Sequence, residues 1–383
     1  MTASPSLQAR LLRHGLSEVA ARDWNRLVDR DFPYLRHEFL LAMEDQGCLG
    51  ERVGWLPSHL LIEDEQARLL AALPMYLKLN SFGEFVFDWA WAEAYERAGL
   101  DYYPKLVVAP PFTPATGPRL LLHPDAPNTE LAMRLIDCAI AAVESMGVSS
   151  VHWLFATDAP LHNSSHLLRR SGCQFHWANR GYQSFDDFLA DLNAKRRKEI
   201  LRERRQVREA GIELIQLSGS EVSPEQWRRF HALYRHTFDK HGNHPALTLG
   251  FFVEIAKTMG DQIRLVVARR RDEMIGAAYF LVGEKSLYGR YWGANEAIPG
   301  LHFEACYYQG IEYCIAKGLQ RFEPGAQGEH KISRGFLPTR TWSYHWIAHP
   351  GFRAPIADFL ERESIMMDDY HRRLMEKSPF RSV

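Results

Sequence analysis

Two stretches of the chain share one pattern of punctuation. Trp91 precedes Gly99-Leu100-Asp101-Tyr102 by the same eight and nine positions that separate Trp292 from Gly300-Leu301-His302-Phe303. Upstream of each Trp lies an apolar hairpin pattern, Leu69 to Leu77 then Glu84 to Trp89 in one case, Met274 to Val282 then Ser286 to Trp292 in the other. A supersecondary unit that recurs within one chain predicts two similar domains in tandem with a groove between them. The length of 383 residues agrees, because single cores stop growing at about 250–300 residues. The expected division is 1–180 and 181–383, with the last helix able to pack back on the first domain.

A chain with 46% hydrophobic and 24% charged residues is of ordinary globular composition. Its net charge of -1 supplies no overall field toward nucleic acid or anionic membrane, so such binding needs a local patch. Cys48, Cys138, Cys173, Cys306 and Cys314 form no CxxC pair and are odd in number, which argues for reduced, mostly buried cysteines and against a disulfide framework or zinc ribbon. No apolar run approaches the roughly 20 residues that span a bilayer, and residues 1–31 lack the apolar core of a secretory signal. A cytoplasmic location is expected.

Helical periodicity covers Ser17 to Asp29, Leu35 to Gln46, Asn128 to Met146, Asn163 to Arg170, Pro224 to Lys240, Leu247 to Met259, Leu301 to Lys317 and a last helix near Phe352 to Met375. Strand patterns occupy His59 to Glu63, Leu69 to Leu77, Glu84 to Asp88, Lys105 to Ala109, Ser150 to Phe155, Gln174 to Trp177, Ile212 to Leu217, Arg264 to Arg269, Met274 to Val282, Ser286 to Trp292, Gln320 to Glu323 and Arg340 to Ile347. The predicted fold class is α/β (α+β), with helices flanking mixed, mainly antiparallel sheets.

This order resembles the GNAT acyltransferase domain, and two such domains in one chain look like the Fem-type nonribosomal peptidyltransferases. The basic segment Arg196-Arg197-Lys198-Glu199-Ile200-Leu201-Arg202-Glu203-Arg204-Arg205 and Gly310-Ile311-Glu312-Tyr313 carry part of the resemblance. Phe87-Asp88-Trp89-Ala90-Trp91, Pro111-Phe112-Thr113-Pro114 and Glu323-Pro324-Gly325-Ala326-Gln327-Gly328-Glu329-His330-Lys331 resemble a FemAB-like branch of acyltransferases. The resemblance implies transfer of an activated acyl or aminoacyl group to an amine, such as that of a cell-wall precursor. The donor would be a cosubstrate, aminoacyl-tRNA or acyl-CoA, with no tightly bound cofactor. Ordinary GNAT domains hold the acetyl-CoA pyrophosphate on free backbone N–H groups at a helix start. Here Pro299 has no N–H and Glu296 repels an anion, which disfavours acetyl-CoA. A noncatalytic binder of peptide or glycan precursors and a conventional acetyl-CoA N-acetyltransferase are the alternatives.

Acyl transfer to an amine needs a proton acceptor and donors aimed at the developing oxyanion. The loop Gly325 to Gly335 offers Glu329 or His330 as base, with Lys331 and Arg334 to hold an anionic substrate or the oxyanion. Arg290 and Trp292 end a strand beside the helix start that carries His302 and Glu304, and alternation puts Tyr288, Arg290 and Trp292 on one face. In the first domain Asp88, Trp91, Tyr102, Lys105, Thr113 and Thr116 are the candidates for gripping the acceptor. Residues Lys195 to Arg208 offer a phosphate-binding face for RNA or a nucleotide-linked precursor, or a solvated helix surface. His231, His236, His241 and His244, spaced by five, five and three with no cysteine among them, do not predict a metal site.

Overall fold

In the computed structural model, residues 7–126, 128–240, 242–326 and 328–381 are described. Gln327 of the glycine-rich motif and His241 of the histidine series lie outside them. In chain order the elements are β1 (Gln8–Leu11), α1 (Ala21–Asn25), α2 (His37–Asp45), β2 (Trp55–Pro57), β3 (Leu60–Glu63), β4 (Leu69–Leu73) and β5 (Met75–Lys78). Next come α3 (Trp89–Arg97), β6 (Lys105–Val108), β7 (Leu121–Leu122), α4 (Asn128–Met146), β8 (Ser150–Trp153), α5 (Ala159–Asn163) and β9 (Leu168–Ala178). They are followed by α6 (Phe185–Asp191), α7 (Ala194–Glu209), β10 (Glu213–Ser218), α8 (Pro224–Lys240), α9 (Leu249–Met259), β11 (Ile263–Arg270), β12 (Glu273–Val282) and β13 (Ser286–Ala294). The chain closes with α10 (Leu301–Phe303), α11 (Gln309–Lys317), β14 (Arg321–Glu323), β15 (Leu337–Ile347) and α12 (Pro350–Met375).

These elements cluster into two units. One comprises Met1–Gly172 with Arg340–Asp369, the other Cys173–Thr339 with Tyr370–Val383. In the first unit, β2, β5, β6, β8 and the Arg340–Ile347 part of β15 are successive neighbours, and β1, β3, β4 and β7 form a separate four-stranded sheet. β5 and β6 are antiparallel, β6 and β8 are parallel, and β8 pairs antiparallel with β15. α4 supplies the crossover between the parallel strands. Its Leu131, Leu135, Ile136, Ala139 and Val143 recur at helical spacing and bury against Leu106, Val108, Val151 and Trp153. In the second unit the order is β10, β11, β12, β13, β14 and the Cys173–Ala178 part of β9. β10 to β13 form an antiparallel meander, β13 and β14 are parallel, and β14 pairs antiparallel with β9. Here the crossover is one continuous helix, α10, a π-helical turn over Glu304–Tyr308, and α11, ended by Gly318 in the left-handed conformation at φ 67°.

Both units therefore repeat an antiparallel hairpin, a helical crossover and a parallel strand, but in a different register from the one the Trp-Gly spacing suggests. Trp292 lies on β13, whereas Trp91 lies in α3, and Gly99 follows that helix rather than opening one. The strand expected at Glu84 to Trp89 is absent because β5 takes β6 as its partner, leaving Phe85 at φ 61° and Asp88 as the residue before α3. The counterpart of β13 is β6. A second difference lies at Asn163 to Arg170, expected as a helix. That helix is the earlier and shorter α5, and Leu168–Ala178 is one long strand. The pattern Gln174, His176 against Phe175, Trp177 has the period of two that only a strand exploits.

Candidate functional site

Alternation along β13 is interrupted. Its register against β12 runs Leu281↔Tyr288 and Phe280↔Gly289, then Tyr279↔Tyr291, so Arg290 is the extra residue of a β-bulge. The bulge reverses the parity that the sequence predicts: Tyr288 and Tyr291 share a face, and Trp292 turns to the opposite one, packed with Phe280 and Leu287. Parallel pairing between β13 and β14 covers only Ser286↔Arg321, Leu287↔Phe322 and Tyr288↔Glu323. Beyond Tyr288 and Glu323 β13 runs on without a β14 partner, and the segment Pro324 to Arg334 starts at that point.

Lys331 returns to this place. It is 3% exposed, and its ammonium donates to the Gly325 carbonyl at 2.7 Å. Burial lowers its pKa to about 8, an effect that the neighbouring Cys306 offsets only in part. A lysine placed this way keeps its charge at neutral pH but is close to losing it. The same burial pushes the Cys306 thiol up, so it is not a thiolate nucleophile.

Around Lys331 the imidazoles are neutral. His302 is held at about 4, first by burial and then by the charges of Lys331 and Arg334 with His330 beside it. His330 is lowered by burial and by the same two cations, and its Nε2 lies 3.0 Å from the Tyr307 hydroxyl. Gly328, at φ 120°, makes room for this ring, since a Cβ there would lie 2.4 Å from it. His302 packs edge-on to Trp292 and Tyr307, with ring centroids 5.8 and 5.3 Å away.

Other candidates in this unit are taken up by internal partners. Arg334 is 5% exposed and grips Glu203 with Nη2 at 2.6 Å and Nε at 3.3 Å, and Tyr308 donates to the same carboxylate. Its guanidinium also lies over the Phe303 ring at 3.4 Å. Glu304 receives a two-point contact from Arg204 at 3.1 Å and one from Gln309 at 2.9 Å. Glu329 is exposed. Its carboxylate takes Tyr370 at 3.1 Å and Lys377 at 2.9 Å, and both lower its pKa, which makes it a weak base. Arg290 lies 4.7 Å from the Tyr291 ring.

In the first unit Asp88, Tyr102 and Lys105 do come together. Lys105 is fully buried and donates to Glu84 at 2.8 Å, Ser81 at 2.9 Å and Asp88, while the Tyr102 hydroxyl reaches Asp88 at 2.5 Å. Its strand partner Lys78 is equally buried, donates to the Gly54 carbonyl at 3.0 Å, and is lowered by desolvation to about 7. Burial raises Glu84 to about 7, while Asp88 is held near 2: burial opposes this, and the charge of Lys105 outweighs it. Behind them His152 and His345 face each other with their Nδ1 atoms 2.6 Å apart, and Trp91 stands edge-on to His345 at 5.0 Å. Thr113 and Thr116 are buried in their loop, Thr113 donating to the Pro111 carbonyl at 2.9 Å. Two surface hollows, of about 380 Å³ beside Arg10, Arg26 and His123 and about 490 Å³ beside Gln216, Arg264 and Lys317, touch none of these buried groups. Convergent chemistry, not concavity, marks the site.

Sequence reasoning gave no role to Glu203, Cys306, Tyr307, His176 or Glu323. His176 was visible as the polar partner in an alternating aromatic strand. Glu323 was visible as an acid ending an apolar strand.

An antiparallel strand pair followed by a helical crossover to a parallel strand, twice in one chain, defines a tandem GNAT-type fold. The chain belongs to the FemAB-like family, described as peptidoglycan biosynthesis/recognition, whose model matches residues 15–382. It is similar to FemX, with 10% identity over 91% of this chain and 100% of that one at a TM-score of 0.54. It is also similar to L-PGS from Bacillus licheniformis, with 9% identity over 88% of this chain and 98% of that one at a TM-score of 0.50. At such identities the likeness concerns the fold. No curated protein matches the chain. Among the described residues no helix is long and apolar enough to cross a membrane.

Proposed function

We propose that the protein transfers an activated acyl or aminoacyl group to an amine of a peptidoglycan precursor, and that the second unit carries the reaction. The observation supporting this most directly is Lys331, a buried ammonium of lowered pKa placed where β13 and β14 part company. At that position it donates a hydrogen bond to the oxyanion that forms when an amine attacks the donor carbonyl. In a site of low dielectric such a donor contributes more than it would in water. His330 and His302, neutral at pH 7, accept protons or shape the acceptor pocket. The FemAB-like family supplies the acceptor class.

For the donor, an aminoacyl ester on RNA fits better than acetyl-CoA. The turn before α10 contains Pro299 and Glu296, the latter paired with Arg270, and a Cβ at Gly300 would lie 2.9 Å from the Glu203 carbonyl. That helix start is therefore packed against α7 and short of free N–H groups. α7 in turn exposes Lys195, Lys198, Arg202 and Arg205 along one stripe, with Arg205 in an exposed 3.8 Å pair with Glu209, while the less exposed Arg196 and Arg204 are engaged by Glu199, Glu304 and Glu312. The stripe provides phosphate contacts for the donor RNA.

The test is direct. Purified protein is incubated with a muropeptide bearing a free side-chain amine and with charged tRNA or acyl-CoA, and mass spectrometry reads the acceptor. A mass gain on the amine that falls at least about 100-fold in Lys331→Met is expected. No gain with either donor, together with tight muropeptide retention, would replace transfer by recognition.

A further inference from the structure

His330 is exposed, whereas the next residue, Lys331, is buried. The His330 ring is closely confined all the same. Phe303 and Tyr307 lie 5.8 and 6.0 Å from it, centroid to centroid, and a Cβ on Gly328 would come within 2.8 Å of Nδ1. Its backbone is held as well, since the His330 carbonyl accepts from Arg334 at 2.8 Å and from Ser333 at 2.9 Å. Among the described residues the ring has one hydrogen-bond partner, the Tyr307 hydroxyl at 3.0 Å from Nε2, and Nδ1 has none.

Tyr307 decides which nitrogen carries the hydrogen. It is 3% exposed, its ring packed on Phe303, His302 and Phe336. Burial holds its pKa well above the ordinary value of 10, so the hydroxyl keeps its hydrogen at neutral pH. A buried hydroxyl hydrogen needs an acceptor, and among the described residues the acceptor within reach is His330 Nε2. Were Nε2 to carry a hydrogen instead, the phenol would accept from it, and its own hydrogen would be left without a partner among apolar rings. The Tyr307 O–H therefore donates and Nε2 accepts. Burial, with the charges of Lys331 and Arg334, keeps the imidazole neutral, so its single hydrogen sits on Nδ1. An N–H on an exposed residue thus stands beside the ammonium proposed to hold the oxyanion.

We propose that Tyr307 fixes His330 as the Nδ1–H tautomer, so that this imidazole is a neutral hydrogen-bond donor to the carbonyl oxygen of the acyl donor and not a proton acceptor, a proposal that rests on the transfer reaction proposed for this unit. The attacking amine forms the C–N bond as the carbonyl electron pair moves onto oxygen, which the Nδ1–H holds together with Lys331. When that pair returns, the bond to the donor oxygen or sulfur breaks, and the leaving atom takes the proton that the nitrogen gives up. His330 keeps its own proton throughout. His330 is the catalytic residue here, and Tyr307 is a positioning residue.

The tautomer can be read without turnover. The full chain is labelled with nitrogen-15 at histidine, and long-range proton–nitrogen correlation spectra are recorded at neutral pH, the His330 signals being those missing in His330→Asn. Wild type is expected to show an Nδ1–H to Nε2–H ratio of at least about tenfold, falling to within about twofold of even in Tyr307→Phe. In transfer assays His330→Ala should be at least about tenfold slower than wild type. His330→Asn, whose amide N–H replaces Nδ1–H and which is no base, should recover most of that loss, and His330→Gln, whose amide reaches the Nε2 position, should not. An Nε2–H ring in wild type, a ratio unmoved in Tyr307→Phe, or an Asn variant as slow as the Ala variant overturns the proposal. An Nδ1–H ring in a chain that transfers nothing would leave the Tyr307 lock standing and remove the transfer reaction instead.

Discussion

Removing the guanidinium of Arg334 would leave the Glu203 carboxylate buried without a counter-ion among the described residues, with Tyr308 still donating to it. Breaking one side of a buried pair costs about 3–5 kcal/mol, so Arg334→Ala is expected to shift the urea midpoint strongly downward. Lys331 should behave in the opposite way. Its ammonium is desolvated and donates to a neutral carbonyl, that of Gly325, so an apolar chain of the same length avoids the cost of a buried charge. Lys331→Met should therefore melt at or above wild type while transfer collapses. A large drop in melting temperature in Lys331→Met would make it a structural residue. From the sequence both looked alike, basic residues in one glycine-rich loop. The distinction rests on Glu203, which approaches Arg334 from α7, more than a hundred residues away in the chain, and no local pattern encodes such a pairing.

Elements with strong internal periodicity were legible, and those defined by partners were not. α4 could be read because Leu131, Leu135, Ala139 and Val143 form one apolar stripe, and β11 to β13 because apolar runs end in Arg-Asp and Gly-Glu turns. Leu135 is fully buried in that stripe, so Leu135→Ala should cost about 2–5 kcal/mol in denaturant titrations through forfeited transfer energy and a residual cavity. The run Phe85 to Trp89 has equal β-propensity yet is no strand, because an edge must be free to receive it and β6 already occupies that of β5. The bulge at Arg290 was equally invisible, since it adds a residue without changing composition. α7 was legible as a basic amphipathic helix, but not which of its charges are free. Replacing Lys195, Lys198, Arg202 and Arg205 with Gln should weaken RNA binding in filter assays. It should also flatten the salt dependence by about one unit for each phosphate that is no longer neutralised. An unchanged slope would mean that the stripe is only a solvated face.

At the scale of the whole molecule, duplication was legible but its register was not, because chance repetition of Trp and Gly imitated a repeat that connectivity places at β6 and β13. Each unit buries imidazoles at the turning point of its crossover, and this has a pH consequence. In the first unit burial pushes His152 to about 3 and His345 well below its ordinary value, and in the second it pushes His302 to about 4 and lowers His176 and His330. The ordinary imidazole value of 6.5 applies to the unfolded chain, which therefore binds these protons first as pH falls. Their contribution to stability is fully present above pH 6.5 and is lost progressively toward pH 4. Glu84 acts in the reverse sense. Raised from 4.5 to about 7, it destabilises the folded state as pH rises through that range, and so offsets one of the two histidines of its unit on acidification. Asp158, raised by burial, acts in the same sense in the first unit. Among the described residues of the second unit no raised carboxyl opposes the histidines, and at least one net proton remains, worth about 1.4 kcal/mol for each pH unit below 6.5. Melting temperature should thus fall continuously from pH 6.5 to 4.5, and His302→Asn should flatten the part of that fall belonging to the second unit. A melting temperature that is level or rising on acidification would show that these imidazoles are protonated in the folded protein, and with them the candidate site.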